Sequence, residues 1–78
     1  RVERRSLVDT AYAEMKRKIL RNELAPGAQF LEEELAVMLG MSRTPMREAA
    51  IRLEQEGFLE IVPRRGFRVT RLSKRAVR

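Results

Sequence analysis

The sequence predicts a mainly α-helical fold that ends in a small β-hairpin. Three observations support this prediction. Apolar residues recur at a spacing of three and four in three segments, glycine and a Pro-Gly pair separate these segments, and apolar positions alternate near the C-terminus. The chain has 78 residues, of which 44% are hydrophobic and 36% are charged. This composition is typical of a globular domain, and the length allows one small core.

The first helix is predicted over residues 7–21. Its apolar residues fall on one stripe, which consists of Leu7, Val8, Ala11, Tyr12, Met15 and Ile19. Ser6 is the predicted N-cap, and Asn22 follows the last turn, where a residue in the left-handed conformation is favoured. Residues 1–5 are then a basic N-terminal tail. After the helix, the pair Pro26-Gly27 predicts a turn.

A short second helix is predicted over residues 32–39. Its inward-facing residues are Leu35, Ala36 and Leu39. Three consecutive acids, Glu32, Glu33 and Glu34, lie in its first turn, where the helix dipole favours negative charge. Gly40 ends this helix. We therefore interpret the acidic run as stabilisation of the helix terminus.

The third helix follows after a tight connection, with Ser42 as its N-cap and Gly57 as its stop. Its buried stripe consists of Met46, Ala49, Ala50 and Leu53. At about 100° per residue, Arg43, Thr44 and Arg47 lie on the flank and far side of the first turns. The helix thus has its exposed cations at the N-terminal end.

Residues 58–70 predict a β-hairpin. Apolar residues are frequent before residue 63, and Phe67 and Val69 alternate with polar residues after residue 66. The connection Pro63-Arg64-Arg65-Gly66 has the composition of a turn. The hairpin therefore has two arginines at its tip.

The charge distribution predicts a polyanionic partner. The net charge is +6, and fourteen arginines stand against three lysines. Residues 58–78 hold seven basic residues and one acid, whereas residues 23–42 hold four acids and no basic residue. Arginine makes planar, bidentate contacts to phosphate and guanine. Such segregation favours binding of a nucleic acid over a uniformly solubilising surface.

Several classes of protein are excluded by what the sequence lacks. It contains no cysteine and no histidine, and its acids show no metal-ligand spacing. We find no nucleophile–base pair, so we expect no enzymatic activity, and no metal or cofactor in this fragment. No apolar run could span a membrane. We expect a cytoplasmic protein, and because the chain does not begin with methionine, a piece of a longer one.

Three helices followed by a basic-tipped hairpin form a winged helix-turn-helix. In this fold the N-terminal end of the third helix enters the major groove of DNA. Arginines on its first turns can reach guanine edges or phosphate oxygens, and acids there would be repelled. Glu54 and Glu56 lie at the other end, outside the groove, where they can pair with neighbouring residues. The segregation of charge along this helix therefore indicates duplex DNA binding.

The sequence resembles the DNA-binding domain of the GntR family of bacterial transcription regulators. Four segments carry this resemblance: "LAPG" (24–27), "LAVMLGMSRTPMREA" (35–49), "LEQEGFL" (53–59) and "PRRGFRV" (63–69). The final segment, "RLSKRAVR" (71–78), resembles the start of the linker in the FadR-like branch, whose C-terminal effector domain is all-helical. This implies that residues 6–71 are the DNA-binding domain and residues 72–78 begin a linker to a missing effector and dimerisation domain.

The resemblance also implies which residues contact DNA. The family's contacts from helix three match Ser42, Arg43, Thr44 and Arg47, and those from the wing, in the minor groove, match Arg64, Arg65 and Gly66. The resemblance further implies a homodimer on an inverted-repeat operator, formed through the missing domain, and control by a metabolite that binds there.

This sequence departs from the family pattern at three places. A basic residue frequent in helix two is replaced by Glu33, and a serine at the start of that helix by Leu31. A leucine late in the third helix is replaced by Ala50, which is followed by Ile51. Either Ile51 is an exposed apolar residue, or the packing there is altered.

Two alternatives to DNA binding fit a winged helix. The domain could mediate protein–protein contact, but this would favour an apolar or acidic outward face on the third helix. It could also bind RNA. Duplex RNA hides its major groove from side chains, so a third helix that begins with arginines favours DNA.

Overall fold

The computed structural model describes residues 4–71 as one winged helix-turn-helix domain. Its elements are α1 (Arg4–Leu20), β1 (Gln29–Phe30), α2 (Glu32–Leu39), α3 (Arg43–Gln55), β2 (Leu59–Val62) and β3 (Gly66–Val69). The three predicted helices and both strands of the hairpin are confirmed. The linker predicted over residues 72–78 lies outside the described residues, as do residues 1–3 of the predicted tail.

The first helix begins earlier than predicted. Arg4 and Arg5 are already helical, so the prediction that they belong to a loose tail is wrong. Ser6 lies inside the helix and is not its N-cap. At the other end, Asn22 adopts the predicted left-handed conformation, with φ of 63°.

The hydrophobic core lies between the three helices and one face of the sheet. In the part of the chain that the structure describes, it contains fourteen buried apolar residues: Val8, Ala11, Met15, Ile19, Leu24, Leu35, Ala36, Met46, Ala49, Ala50, Leu53, Leu59, Phe67 and Val69. The stripes predicted for α1 and α3 supply most of them. This packing fixes α3 against α1 along its length, so one side of α3 remains exposed to solvent.

The sheet has a third strand that was not predicted. β1 pairs antiparallel with β3, which also pairs with β2, and the strand order is β1-β3-β2. Phe30 lies opposite Phe67 in the register. Further backbone hydrogen bonds join Gly27 N–H to the Val69 carbonyl and Val69 N–H to the Ala28 carbonyl, both at 2.8 Å. The wing is therefore attached to the segment that precedes α2.

The turn between α2 and α3 depends on a left-handed glycine. Gly40 has φ of 68°, and Met41 N–H donates to the Ala36 carbonyl at 3.1 Å, which closes the C-terminus of α2. Ser42 occupies the N-cap of α3 in an extended conformation, as predicted. Its side chain makes no capping hydrogen bond. Ser42 is therefore at the predicted N-cap position, but the prediction that its side chain caps the helix is wrong. The residue is exposed.

Candidate nucleic-acid interface

The N-terminal end of α3 presents a polar surface because its apolar residues are used for packing. Five residues of the helix are buried: Pro45, Met46, Ala49, Ala50 and Leu53. The remaining side of the first turns carries Ser42, Arg43, Thr44 and Arg47, all of which are exposed. The structure therefore places the four predicted contact residues of α3 on an accessible surface at one end of the helix.

A cleft separates this end of α3 from the tip of the wing. Its volume is about 380 Å³, and it is lined by Leu31, Glu32, Glu33, Arg43, Ile61, Val62, Pro63, Arg64, Arg65 and Gly66. Arg43 and the three predicted wing residues are therefore brought together around one concavity. Ser42, Thr44 and Arg47 do not line the cleft. They lie on the exposed surface beside it.

Arg47 is held by an acid of α2. Its Nη2 lies 2.6 Å from Oε1 of Glu32, and the two residues are fifteen positions apart in the chain. The pKa of Arg47 is raised above its ordinary value, first by this hydrogen bond and second by the negative charge of Glu32. Arg47 is therefore charged at every working pH. One of its terminal nitrogens is engaged, whereas the rest of the guanidinium group can bind a ligand.

Arg43 has a similar but looser partner. Its Nη1 lies 3.8 Å from Oε1 of Glu33, and both side chains are more than half exposed. From the sequence, the acids of α2 are predicted only to stabilise the helix terminus. They do occupy its first turn, but two of them face the cations of α3. The exclusively acidic charge of residues 23–42, next to the arginines of α3, is the signal that could have indicated this pairing.

The third acid of the run has the role that was predicted. Oε1 of Glu34 accepts a hydrogen bond from Leu31 N–H at 2.8 Å. Leu31 is the N-cap residue of α2, and its apolar side chain cannot accept a hydrogen bond. Glu34 therefore provides the part of a capping box that reaches back from the helix. A serine at the N-cap would supply the other part, an acceptor for an amide of the first turn, and leucine cannot supply it.

The tip of the wing is a turn with an unusual backbone conformation. Arg65 N–H donates to the Val62 carbonyl at 2.9 Å, and Arg64 lies between them with φ of 66°. A non-glycine residue in this left-handed region is uncommon and costs about 1–2 kcal/mol. Both arginines are exposed. Arg64 thus occupies a position where glycine or asparagine would adopt the left-handed conformation at a lower cost.

Gly66 has a structural role that the sequence does not indicate. Its φ is 109°, and a Cβ there would overlap the Phe30 carbonyl oxygen of β1. The resemblance implies that Gly66 contacts DNA as part of the wing. The close approach in the structure is to β1, which pairs with β3 at this point. Glycine is required here by the sheet, whatever the wing binds.

The C-terminal end of α3 is attached to α1 by polar contacts. Tyr12 donates its hydroxyl hydrogen to Oε1 of Glu56 at 2.5 Å, and Lys16 Nζ lies 4.0 Å from the same oxygen. Arg52 lies over the Tyr12 ring, 4.0 Å from its centroid, and pairs with Asp9 at 3.2 Å. Glu56 therefore holds this end of α3 against α1, which confirms the prediction that it pairs with neighbouring residues.

The departure at Ala50 and Ile51 is also explained. Ala50 is fully buried, whereas Ile51 is 36% exposed. The smaller residue fits between the closely packed helices, and Ile51 points away from the core. Of the two possibilities left open by the sequence, Ile51 is an exposed apolar residue.

Residues 4–71 contain no group of three or more acids, histidines or cysteines that could hold a metal ion. In the same part of the chain, no helix is long and apolar enough to cross a membrane.

Comparison with known proteins identifies a family and several relatives. The model of the family described as "Bacterial regulatory proteins, gntR family" matches residues 7–69. An uncharacterised HTH-type transcriptional regulator of Streptomyces ambofaciens is 46% identical over 61 residues. The HTH-type transcriptional repressor RspR of Escherichia coli is 39% identical over 67 residues. These matches cover 78% and 86% of this chain but only 26% and 29% of the relatives, so the chain spans less than a third of their length.

Solved structures show the same fold. Escherichia coli McbR/YncC superposes with a TM-score of 0.79 and 36% identity over 92% of this chain and 34% of that protein. A GntR-family transcriptional regulator from Pseudomonas syringae superposes with a TM-score of 0.74 and 26% identity, again over 92% of this chain and 32% of the other.

Proposed function

Because this chain belongs to the gntR family of bacterial regulatory proteins, we propose that it binds duplex DNA as the reading head of a transcription regulator. The first turns of α3 enter the major groove, and the wing contacts the adjacent minor groove. The observation that carries this proposal is the exposed, arginine-bearing N-terminal end of α3 beside a wing whose tip also holds two arginines.

Each exposed residue of the interface has a role that suits its chemistry. Arg43 and Arg47 donate to guanine O6 and N7 or to phosphate, and the Thr44 hydroxyl can contact either. The Ser42 hydroxyl, which is free of a capping bond, can donate to a phosphate. Arg64 and Arg65 enter the minor groove, where narrow A·T-rich segments attract arginine. Gly66 supports this function indirectly, since it allows the wing to pack on β1.

The whole regulator has further properties that we propose from the resemblance. The matched segments make up 26% and 29% of the relatives' length, so these relatives are roughly three and a half to four times as long as the matched segment. This length supports a C-terminal domain that forms a homodimer, binds a metabolite and places two reading heads on an inverted repeat. The sequence "RLSKRAVR" supports the FadR-like branch. We assign residues 4–71 to the DNA-binding domain, since Arg4 and Arg5 belong to α1, assign no catalytic step or cofactor to this segment, and propose that the regulator acts in the cytoplasm.

A binding titration tests the proposed function. The chain is titrated with a duplex DNA library and with duplex RNA of the same length. Each titration is repeated at several salt concentrations. We expect DNA to bind more tightly than RNA, and the logarithm of the affinity to fall linearly with the logarithm of salt, by about 0.9 for each phosphate that the protein neutralises. Equal binding of RNA, or binding of neither nucleic acid, would reject the proposal.

The oligomeric state tests the proposed domain organisation. The 78-residue chain contains one α3 and one wing, so we expect it to sediment as a monomer and to bind operator DNA weakly. The longer natural protein should sediment as a dimer and bind more tightly through avidity. A tight dimer of the 78-residue chain at micromolar concentration would contradict this organisation.

A further inference from the structure

Glu33 is an acid in a cleft that is otherwise suited to binding a polyanion. It lies in the first turn of α2, its side chain is 67% exposed, and it lines the cleft between α3 and the wing. The cleft also contains Arg43, Arg64 and Arg65. Phosphate would be attracted by the three arginines and repelled by Glu33. A role for Glu33 in stabilising its helix does not require its side chain to face this cleft.

Base edges of the major groove include two hydrogen-bond donors that a carboxylate can accept from. These are the amino groups of cytosine (N4) and adenine (N6). The adenine amino group stands beside N7, an acceptor whose lone pair repels a carboxylate. Cytosine has no such acceptor on its own edge. A carboxylate that enters the groove is therefore most favourable opposite cytosine.

We propose that Glu33 is a specificity-determining residue that accepts a hydrogen bond from the amino group of a cytosine, next to the base that Arg43 contacts. This inference rests on the proposed function. In this proposal α2 contacts the DNA bases directly. The carboxylate of Glu33 favours binding where it meets a cytosine and opposes binding where it meets any other base.

The geometry of the pair supports reading of adjacent bases. Arg43 Nη1 and Glu33 Oε1 are 3.8 Å apart, close to the spacing of about 3.4 Å between successive bases of a strand. The arginine suits guanine and the carboxylate suits cytosine. Because the distance exceeds that of a hydrogen bond, both groups retain their capacity for base edges. Arg43 and Glu33 together therefore match two successive bases of a strand, one guanine and one cytosine.

Glu33 should also weaken binding to unrelated DNA sequences, and this effect agrees with a role in specificity. When the protein lies on an unrelated sequence, Glu33 faces groove acceptors and phosphates without a donor. Specificity arises from such unfavourable contacts as well as from favourable ones. Removal of the charge should therefore increase the affinity for unrelated duplexes while it removes one base preference.

The test is selection of binding sites from a randomised duplex library by this protein and its Glu33→Gln and Glu33→Ala variants. The wild type should select a motif with a C·G pair whose replacement weakens binding about tenfold or more. A glutamine side chain suits adenine N6 and N7, so Glu33→Gln should shift the preference at that one position from cytosine to adenine. Glu33→Ala should lose the preference without gaining another.

Glu14→Gln is the matched control. Glu14 is an exposed acid that pairs with Arg17 at 2.6 Å on α1, so the variant has the same change in net charge and should select the wild-type motif. An unchanged motif in both Glu33 variants would overturn the inference, even if their affinity for all duplexes rose. Uniform loss of affinity with the fold intact by circular dichroism would also overturn it. Failure of the wild type to enrich any motif would instead reject the proposed function.

Discussion

Glu32 of α2 and Arg47 of α3 form an ion pair across the helix-turn-helix, with 2.6 Å between Oε1 and Nη2. Glu32 is the less exposed of the two, at 23% against 53% for the side chains. The acid therefore forms a relatively fixed support, and the arginine extends from it toward solvent. An arginine held by one nitrogen keeps its remaining N–H donors in a defined direction, which reduces the entropy lost on binding a base.

The first prediction concerns how Arg47 recognises DNA. If it makes a bidentate contact to guanine, Arg47→Ala should weaken operator binding about tenfold to a hundredfold and lower discrimination against a scrambled duplex. Arg47→Lys keeps the charge but not the planar fork, so it should fail to restore discrimination. Affinities for both duplexes are measured for each variant, and for Arg43→Ala. Equal losses on both duplexes, with full rescue by lysine, would identify a phosphate contact.

The second prediction concerns Glu32 as a positioning residue. Glu32→Ala should reduce operator affinity about threefold or more, because Arg47 loses its support, while affinity for a scrambled duplex stays equal or rises. In an Arg47→Ala background the same change should have little effect on operator affinity, since coupled residues are non-additive. The double-mutant cycle is measured by titration with both duplexes. Additive losses would show that Glu32 acts without Arg47.

The third prediction concerns the charge of the wing. Replacement of both Arg64 and Arg65 by alanine should weaken binding to all duplexes. It should also reduce the magnitude of the salt slope by roughly one to two units, at about 0.9 for each phosphate that is no longer neutralised. The fold should persist, because both side chains are exposed. Affinity is measured over a series of salt concentrations, with circular dichroism as the folding control.

A matched control for the wing is the double variant Arg17→Ala, Arg21→Ala. Both arginines are exposed, one in the last turn of α1 and one directly after it, so the loss of charge is the same but lies outside the proposed interface. Its salt slope should remain close to that of the wild type. If the wing variant kept both slope and affinity, the wing would not contact DNA.

The fourth prediction separates stability from binding at the tip of the wing. Arg64 has φ of 66°, so Arg64→Gly should relieve strain and raise the free energy of unfolding by up to about 1 kcal/mol. Arg65 does not have a positive φ, and Arg65→Gly should lower it by about 0.5–1 kcal/mol through backbone entropy. Both variants should bind DNA more weakly. The free energies of unfolding of both variants are measured with urea. A lower value for Arg64→Gly than for the wild type would show that the backbone at Arg64 is not strained.

The fifth prediction concerns Gly66 and its close contact with β1. Gly66→Ala should destabilise the fold by about 3 kcal/mol or more, because positive φ and overlap with Phe30 act together. Gly40→Ala is the control. Gly40 has φ of 68°, and none of the neighbouring atoms lies within 4 Å of the position that a Cβ would take. Gly40→Ala should therefore lower the free energy of unfolding by only about 1–2 kcal/mol. Thermal unfolding distinguishes them. Similar losses would mean that the contact with β1 relaxes easily.

Much of the fold could be predicted because it depends on local sequence. The apolar stripes of α1 and α3, the bounds of α2 and the left-handed Gly40 follow from periodicity and turn chemistry within a few residues. The exposure of Arg43, Thr44 and Arg47 follows as well, since burying the apolar stripe of α3 turns those three positions outward. The start of α1 was misjudged because arginine and serine near a helix terminus are compatible with either state.

Tertiary structure decided the contacts between elements that are distant in sequence. β1 has two residues and no periodicity of its own, so its pairing of Phe30 with Phe67 could not be foreseen. That pairing explains Gly66. The ion pair of Glu32 with Arg47 depends on the angle that the turn imposes between α2 and α3. By itself the sequence determined which side chains are exposed, because periodicity is local; only the packed fold decided which exposed acids meet which exposed cations, because that depends on how the elements are oriented.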